Sequence, residues 1–211
     1  MLVIHHLNRS RSERIVWLAE ELGLPYRIVH HKREVPSKRA PASLKAINPL
    51  GKAPAIEDGE VKLAESGAIV EYLLEKYGQG RLQPAVGDPA RPRYLHWMHA
   101  AESTLMVAPL TDLLTLAMNN RSAPLEAFLR HDYQTLLGHL EEVLGKQDYV
   151  AGDAFTAADI MVSFPLSMIE VELFPGVKLQ ASLDDFPAVR AYLRRLRARP
   201  AWQRAVTQFI E

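Results

Sequence analysis

The sequence predicts an α/β part over residues 1–80 followed by an all-α part over residues 89–211. Three observations predict it. Short apolar runs alternate with helical patterns as far as Gly78. A Pro- and Gly-rich stretch, LQPAVGDPARP over 82–92, then marks a linker, placed at 81–88. Beyond it, apolar residues recur at helical spacing to the end of the chain. Of the 211 residues, 48% are hydrophobic, which supports a sizeable core.

The elements follow in order. Leu2–His6 reads as a strand. Ser10–Leu22 reads as a helix with Ile15, Leu18, Ala19 and Leu22 on one face. Ser10 and Glu13 have capping-box spacing at its start, and Gly23 and Pro25 end it. Tyr26–His30 is the second strand; joined through a helix, it should lie parallel to the first with a right-handed crossover. A loop and short helix should come next. Ala55–Glu57 and Val61–Ala64 flank Asp58-Gly59, a hairpin signal, and Ser66–Tyr77 completes a βαβ–ββα order. In the second part, Leu125, Phe128, Leu129, Leu136, Leu137, Leu140 and Leu144 fit one helical face. Ala157–Val171 is apolar almost all round and should run buried through a bundle, kinked at Pro165. Phe186-Pro187 opens a last long helix with Val189, Tyr192, Leu193 and Leu196 inward.

Composition excludes several classes. Lys plus Arg and Asp plus Glu are both 25, so there is no basic excess for nucleic acid. The longest apolar run, near Ile160–Ile169, is too short to span a membrane and contains Ser163 and Pro165. MLVIHHLNRS has no signal-peptide pattern, so the expected location is the cytoplasm. There is no cysteine, which excludes a disulfide framework, a thiolate metal site and a Cys nucleophile. Any thiol chemistry must use a sulfur that arrives with the ligand.

Chemistry concentrates at LAESGAIVEYLLEKYG, Leu63–Gly78, where a strand ends in Glu65 and Ser66 opens a helix. A helix start carries unpaired N–H groups and partial positive charge. A Ser there can offer its hydroxyl and amide to a carboxylate, while the Glu beside it holds an ammonium. Together they suit the head group of an α-amino acid. The bland alternative is a Ser that only caps the helix. Lys32, Arg33, Lys38, Arg39, Lys45 and Lys52 lie between His30 and Pro54 with Glu34 the only acid, which favours an anionic ligand, although Lys32, Arg33, Lys38 and Lys45 read as a solvated face. His96 and His99 have chelating spacing, but no third ligand is evident and no metal is expected. His5-His6 and His30-His31 should alternate across their strands, one of each pair inward. Met106, Leu110, Leu114 and Met118 are candidates for an apolar pocket, and Arg190, Arg194, Arg195, Arg197 and Arg199 read as a solvated helix face.

These residues resemble a known family. The βαβ–ββα order, a Pro before the third strand, the Glu-Ser pair and the helical second half are similar to the cytosolic glutathione S-transferases. HHLNRSRSERIVWLAEELGLPY, RAPASLKAINPLGKAPAIEDG and AESG look closest to the fungal and bacterial yeast-type branch. FTAADIMVSFPLSM and FPAVRAYLRRLRARPAW resemble the family's central helix and its helix near the C-terminus. The resemblance implies a thioredoxin-like N-terminal domain and an α-helical C-terminal bundle that carries the electrophile pocket and much of a homodimer interface. It implies glutathione as co-substrate and an apolar electrophile as its partner. A cis Ala53-Pro54 bond would present the backbone to the cysteinyl part, and Glu65 and Ser66 would hold the γ-glutamyl end. Arg39 and Lys52 would meet the glycyl carboxylate. Thr156 and Asp159 would form a capping box. Glu102, on the long helix after the linker, would reach the site of the neighbouring subunit; its plain alternative is an exposed surface Glu.

The thiol-activating residue departs from the tyrosine- and cysteine-using classes. After the first strand the chain offers Asn8, Ser10 and Ser12, with Arg11 as a source of positive charge. Ser10 stands nearest the helix start and is the first candidate; the alternative is that it only caps Glu13. A thiol of pKa about 8.5 must be lowered by roughly two units, about 2.7 kcal/mol, to be thiolate at neutral pH. A hydroxyl donor and a helix N-terminus are on that scale. Peroxide or disulfide reduction, isomerase or dehalogenase chemistry, and a non-catalytic binding or regulatory role stay open as alternatives to conjugation.

Overall fold

Leu2–Leu7 forms β1, and all six residues are buried. A strand covered on both faces belongs inside a sheet, and the observed order is β2-β1-β3-β4. This is a computed structural model that describes residues 1–35, 37–170 and 178–209. Strand β2, Tyr26–His31, runs parallel to β1 with Ile4 opposite Ile28. Strands β3, Ala55–Asp58, and β4, Val61–Ala64, are antiparallel. The expected mixed topology is therefore present.

Helix α1, Glu13–Leu22, connects β1 to β2 and buries Ile15, Val16, Trp17, Leu18 and Ala19. It stops at Gly23, whose φ of 67° is left-handed and whose N–H, with that of Leu24, returns to the last turn. The expected Ser10–Glu13 capping box gives way to a start at Glu13 with Ser12 as the N-cap residue and no side-chain cap. The Glu13 amide donates to the Ser10 carbonyl at 3.2 Å, while the Ser10 hydroxyl turns to Ser12 at 2.7 Å. The Ser10 amide still favours the charged form of the Glu13 carboxyl. The short helix α2, Ala42–Lys45, packs Leu44 with Leu7 and Ala40 on one side of the sheet.

The hairpin shifts by one residue from its expected place. Gly59 and Glu60 make the turn, and Asp58 is the last residue of β3. The reason is helix α3, Ser66–Tyr77. Asp58 Oδ2 accepts from Tyr72 at 2.9 Å, Lys76 at 2.8 Å and Tyr77 at 2.6 Å, which draws the residue inward.

Two compact units form: Met1–Gln83 together with the residues from Arg197 onward, and Pro84–Leu196. The expected split was 1–80 and 89–211, so the C-terminal residues change sides. Helix α9, Pro200–Val206, explains it: Trp202 meets Trp17 at 4.9 Å between ring centroids. Arg199 and Arg204 pair with Glu21 and Glu20 of α1 at 2.6 and 2.7 Å. Arg199 is thus no solvated arginine. Arg195 and Arg190 also have partners, Asp148 and Asp184.

The second unit contains α4, Arg91–Ala100, α5, Thr104–Ala117, α6, Ala123–Leu144, α7, Ala157–Glu170, and most of α8, Pro187–Arg197. Helix α7 is buried over nearly its whole length; Val171, expected as its last residue, lies outside the described residues. At its start Asp159 accepts the Thr156 amide at 2.8 Å and hydroxyl at 3.1 Å, together with Val150 N–H and Tyr192 O–H. Burial pushes its carboxyl up, against the pull of these donors. Phe128 departs from the expected inward face of α6 and is exposed, whereas Leu129, Leu137 and Leu140 are buried. Asp112 of α5 is wholly buried and receives Arg121, the Tyr133 hydroxyl and the Gln180 amide.

Candidate functional site

Ser66 begins α3 without a neighbour for its hydroxyl. It is 3% exposed, and its Oγ makes no hydrogen bond among the described residues. No side chain caps the helix. Glu65, just before it, is exposed and holds φ 72° and ψ 122°, a conformation that costs a non-glycine residue about 1–3 kcal/mol. That turn swings the chain from β4 into α3 and bares the first N–H groups of the helix. A strained acid, a buried unpaired hydroxyl and an uncapped helix start make one receptor for a charged, amino-acid-like group.

The Ala53-Pro54 peptide bond is cis, as the resemblance implied. Pro54 is buried at the head of β3. The loop before it is closed by Asn48, which donates to the Lys52 carbonyl at 2.9 Å and accepts the Leu50 amide at 3.2 Å. Gly51, at φ 61°, completes this turn. The Lys52 and Arg39 side chains are exposed. Arg33, expected on a solvated face, instead donates to the carbonyls of Asn8, Arg9 and Lys38 at 3.1–3.3 Å. It ties the loop after β1 to the loop after β2.

That first loop carries all four candidates for thiol activation. Arg9 takes a left-handed φ of 53° in it. Asn8 is exposed and Arg11 half-buried. Ser12 is wholly buried and already occupied. Its Oγ accepts the Leu7 amide at 3.2 Å and lies 2.9 Å from His6 Nδ1 and 2.7 Å from Ser10 Oγ. Ser10 is 8% exposed and receives the Ser12 amide at 3.2 Å, so its hydroxyl stands at the rim of this buried network. Burial raises the Glu13 carboxyl to about 7, against the Ser10 amide and the charges of Arg14 and Arg9.

The histidines alternate across their strands as expected, and His31 is buried while His30 is half-buried. The departure is in β1, where His5 and His6 are both buried because that strand is covered on both faces. On one side His5 bridges Glu57 and His31 at 3.0 Å each, and His31 continues to Ser43 at 2.9 Å. Burial lowers the His31 imidazole, and His5 and His30 add to this. On the other side His6 stacks on Phe209 with its ring 5.8 Å away and meets His30 edge-on.

Glu102 is not on a long helix. It lies half-buried in the turn between α4 and α5. Met106 and Leu110 pack with Phe164 and Met168, while Leu114 and Met118 are exposed. His96 and His99 are exposed, and no group of three metal-ligating side chains is assembled among the described residues. No helix of the described residues is long and apolar enough to cross a membrane. The Ser12–His6 network, the Arg33 clamp and the Asn48 brace were missed in the sequence, where only residue type and spacing are visible.

Residues 1–75 match the family model of the glutathione S-transferase N-terminal domain, and residues 98–200 that of the C-terminal domain. Glutathione S-transferase 3 of Schizosaccharomyces pombe is 33% identical over 221 residues, 95% of this chain and 85% of the relative. A crystal structure of a glutathione S-transferase from Actinobacillus pleuropneumoniae superposes with a TM-score of 0.85 at 30% identity, covering 99% of this chain and 93% of the other. The theta class glutathione S-transferase of Xanthomonas axonopodis pv. citri, solved with glutathione bound, superposes at 0.73 with 26% identity over 97% and 96% of the two chains.

Proposed function

This chain belongs to the glutathione S-transferase family, a family of enzymes, and we propose that it binds glutathione, ionises its thiol and directs the thiolate at an apolar electrophile. Glu65 takes the ammonium and Ser66 the carboxylate of the γ-glutamyl end. The backbone at Ala53-Pro54 faces the cysteinyl part. Arg39 and Lys52 draw the glycyl carboxylate. Ser10 donates its O–H to sulfur. The thiol proton leaves to solvent, the sulfur lone pair forms the new bond to carbon, and the leaving group departs with its electron pair. The protein's share is positioning and stabilisation of the developing thiolate. The electrophile-binding residues belong to the helical unit. We further propose a cytoplasmic homodimer in which Glu102 serves the partner's site.

One observation carries this reading. A buried hydroxyl without an intramolecular partner is costly unless something else pairs with it. Ser66 is such a group, at an uncapped helix start beside a strained Glu65. A carboxylate answers both deficits at once.

The test is calorimetry of glutathione binding to wild type and to Ser66→Ala, with conjugation of an activated aryl halide followed in parallel. Ser66→Ala removes no internal hydrogen bond, so thermal stability should hold. Affinity should fall roughly ten- to hundred-fold, about 1.5–3 kcal/mol for a lost hydrogen bond to a charged group. Unchanged affinity would remove Ser66 from the site. Binding without conjugation of any electrophile, but with reduction of a peroxide, would move the reaction to the redox alternative.

A further inference from the structure

We propose that His6 is a positioning residue for the thiolate. Acting through Ser12, its tautomer decides whether Ser10 faces the ligand as a hydrogen-bond donor or as an acceptor. The inference rests on the reading that Ser10 meets the sulfur.

Proton counting carries it. A hydroxyl has one proton and two lone pairs. Ser12 Oγ is wholly buried among fixed neighbours. The Leu7 amide, at 3.2 Å, can only donate, so it takes one lone pair. Three contacts remain: His6 Nδ1 at 2.9 Å, Ser10 Oγ at 2.7 Å and the Leu7 carbonyl at 3.4 Å. Suppose His6 carries its proton on Nδ1. It then fills the second lone pair, and the Ser12 proton must go to an acceptor. Ser10 Oγ, at 2.7 Å, is the shorter of the two. Ser10 already accepts the Ser12 amide at 3.2 Å, so both its lone pairs are engaged. Its own proton is left for the ligand.

Now let His6 carry the proton on Nε2 instead. Nδ1 becomes an acceptor and takes the Ser12 proton. Ser12 then accepts from Ser10, and Ser10 turns a lone pair outward. That arrangement repels a thiolate and suits an S–H. Along the chain from His6 Nδ1 through Ser12 to Ser10, the two states have the same number of hydrogen bonds. They differ in the direction of one chain of hydrogen bonds, and such chains reinforce their own direction. Thiolate binding therefore selects the Nδ1–H tautomer. The ring is held for this task by Phe209 at 5.8 Å and by His30 edge-on at 5.4 Å. The Glu13 amide, which donates to the Ser10 carbonyl at 3.2 Å, fixes the backbone at the far end of the chain.

The test uses the full chain with glutathione as probe. Nitrogen NMR of the His6 ring should show Nδ1 gaining proton character when glutathione binds at a pH where its thiol is ionised. An Nε2–H tautomer retained in that complex overturns the proposal. The bound thiol pKa, read from thiolate absorbance against pH, gives a second arm. His6→Phe should raise it by about 0.5–1 pH unit. His6→Asn, whose amide N–H replaces Nδ1–H, should restore it, a rescue that a merely structural role does not provide. Ser10→Ala should raise it as well and make His6→Phe silent in the double variant. If Ser10→Ala raises the thiol pKa and His6→Phe does not, the relay is wrong and the Ser10 reading stands. If Ser10→Ala leaves it unchanged, both fall. Should His6→Phe not fold, the wild-type NMR arm still decides.

Discussion

Replacing Asp58 by Asn should destabilise the protein at neutral pH and lose that effect in acid. Asp58 ends β3, with its side chain only 5% exposed. Burial alone would raise its carboxyl, but hydrogen bonds from Lys76, Tyr77 and Tyr72 outweigh burial and bring it down from 3.8 to about 2. All three donors lie on α3, the helix that begins with Ser66. Asp58 thus pins the far half of that helix to the hairpin. At 1.36 kcal/mol per pKa unit the depression is worth about 2 kcal/mol. The Lys76 ammonium is 44% exposed and screened by solvent, so about 1–1.5 kcal/mol is the better expectation. Asn keeps the shape, but it is neutral and turns an N–H₂ toward donors.

The sign of the pH effect follows from linkage. A carboxyl whose folded pKa is depressed contributes stability that is present above its unfolded pKa and lost as pH falls through the folded one. The wild-type advantage should be full above about pH 5 and shrink between about 4 and 2. Urea unfolding of both proteins at about pH 7, 5 and 3 reads it directly. Equal stability at neutral pH would refute the assigned role. A gap that persists undiminished at about pH 2 would show that the loss is one of packing and not of charge.

Glu13 should behave in the opposite way. Its carboxyl is raised from 4.5 to about 7, chiefly by burial, so stability should fall as pH rises through that window. Glu13→Gln keeps an acceptor for the Ser10 amide and should gain about 1–2 kcal/mol near pH 8 and nothing near pH 4; thermal melts that shift in parallel at both pH values would contradict this. Asp159→Ala should cost about 3–5 kcal/mol, because the Val150 and Thr156 amides and the Tyr192 hydroxyl all lose their acceptor inside the fold. Glutathione affinity of the folded fraction should not change, and near wild-type stability with lost binding would move Asp159 into the site.

Much of the frame was legible. Periodicity and turn residues give β2 and α3 nearly to the residue and the end of α1, which starts three residues after the expected Ser10, because their signals are local. The Glu65-Ser66 start came from helix-end physics, which is local too, whereas the cis Ala53-Pro54 bond was implied by the family resemblance alone. What failed depends on partners distant in sequence. Asp58-Gly59 fits two registers of the hairpin, and the choice falls to donors 14 to 19 residues away on α3. The histidine alternation assumes one wet face, which a central strand such as β1 does not have. The break at Ala101–Ser103 hides in helix-compatible residues, where Ser103 turns its hydroxyl back to the His99 carbonyl at 3.0 Å. Helix α9 reads as more of the bundle until Trp17 and the acids of α1 are seen to receive it.

The same distinction sorts the residues of the proposed site and their supports by where their hydrogen bonds go. Asn48, Arg33, Ser12 and Asp58 have their hydrogen bonds made inside the protein. Their work is to fix the backbone at Lys52, the loop after β1, the Ser10 hydroxyl and helix α3. Ser66 has its capacity unspent, and Glu65, Arg39 and Lys52 hold their side chains in solvent. Substituting the first group should act on stability first, since each change removes hydrogen bonds made within the fold. Substituting the second should act on affinity alone, since the fold already does without those bonds. Ser10 belongs to both groups. Its oxygen accepts the Ser12 amide and lies 2.7 Å from the Ser12 hydroxyl, and in the relay we propose the tautomer of His6 decides where its proton goes. A residue so placed can be held rigid by the fold and still present a donor to the ligand, and this combination is what thiolate stabilisation requires.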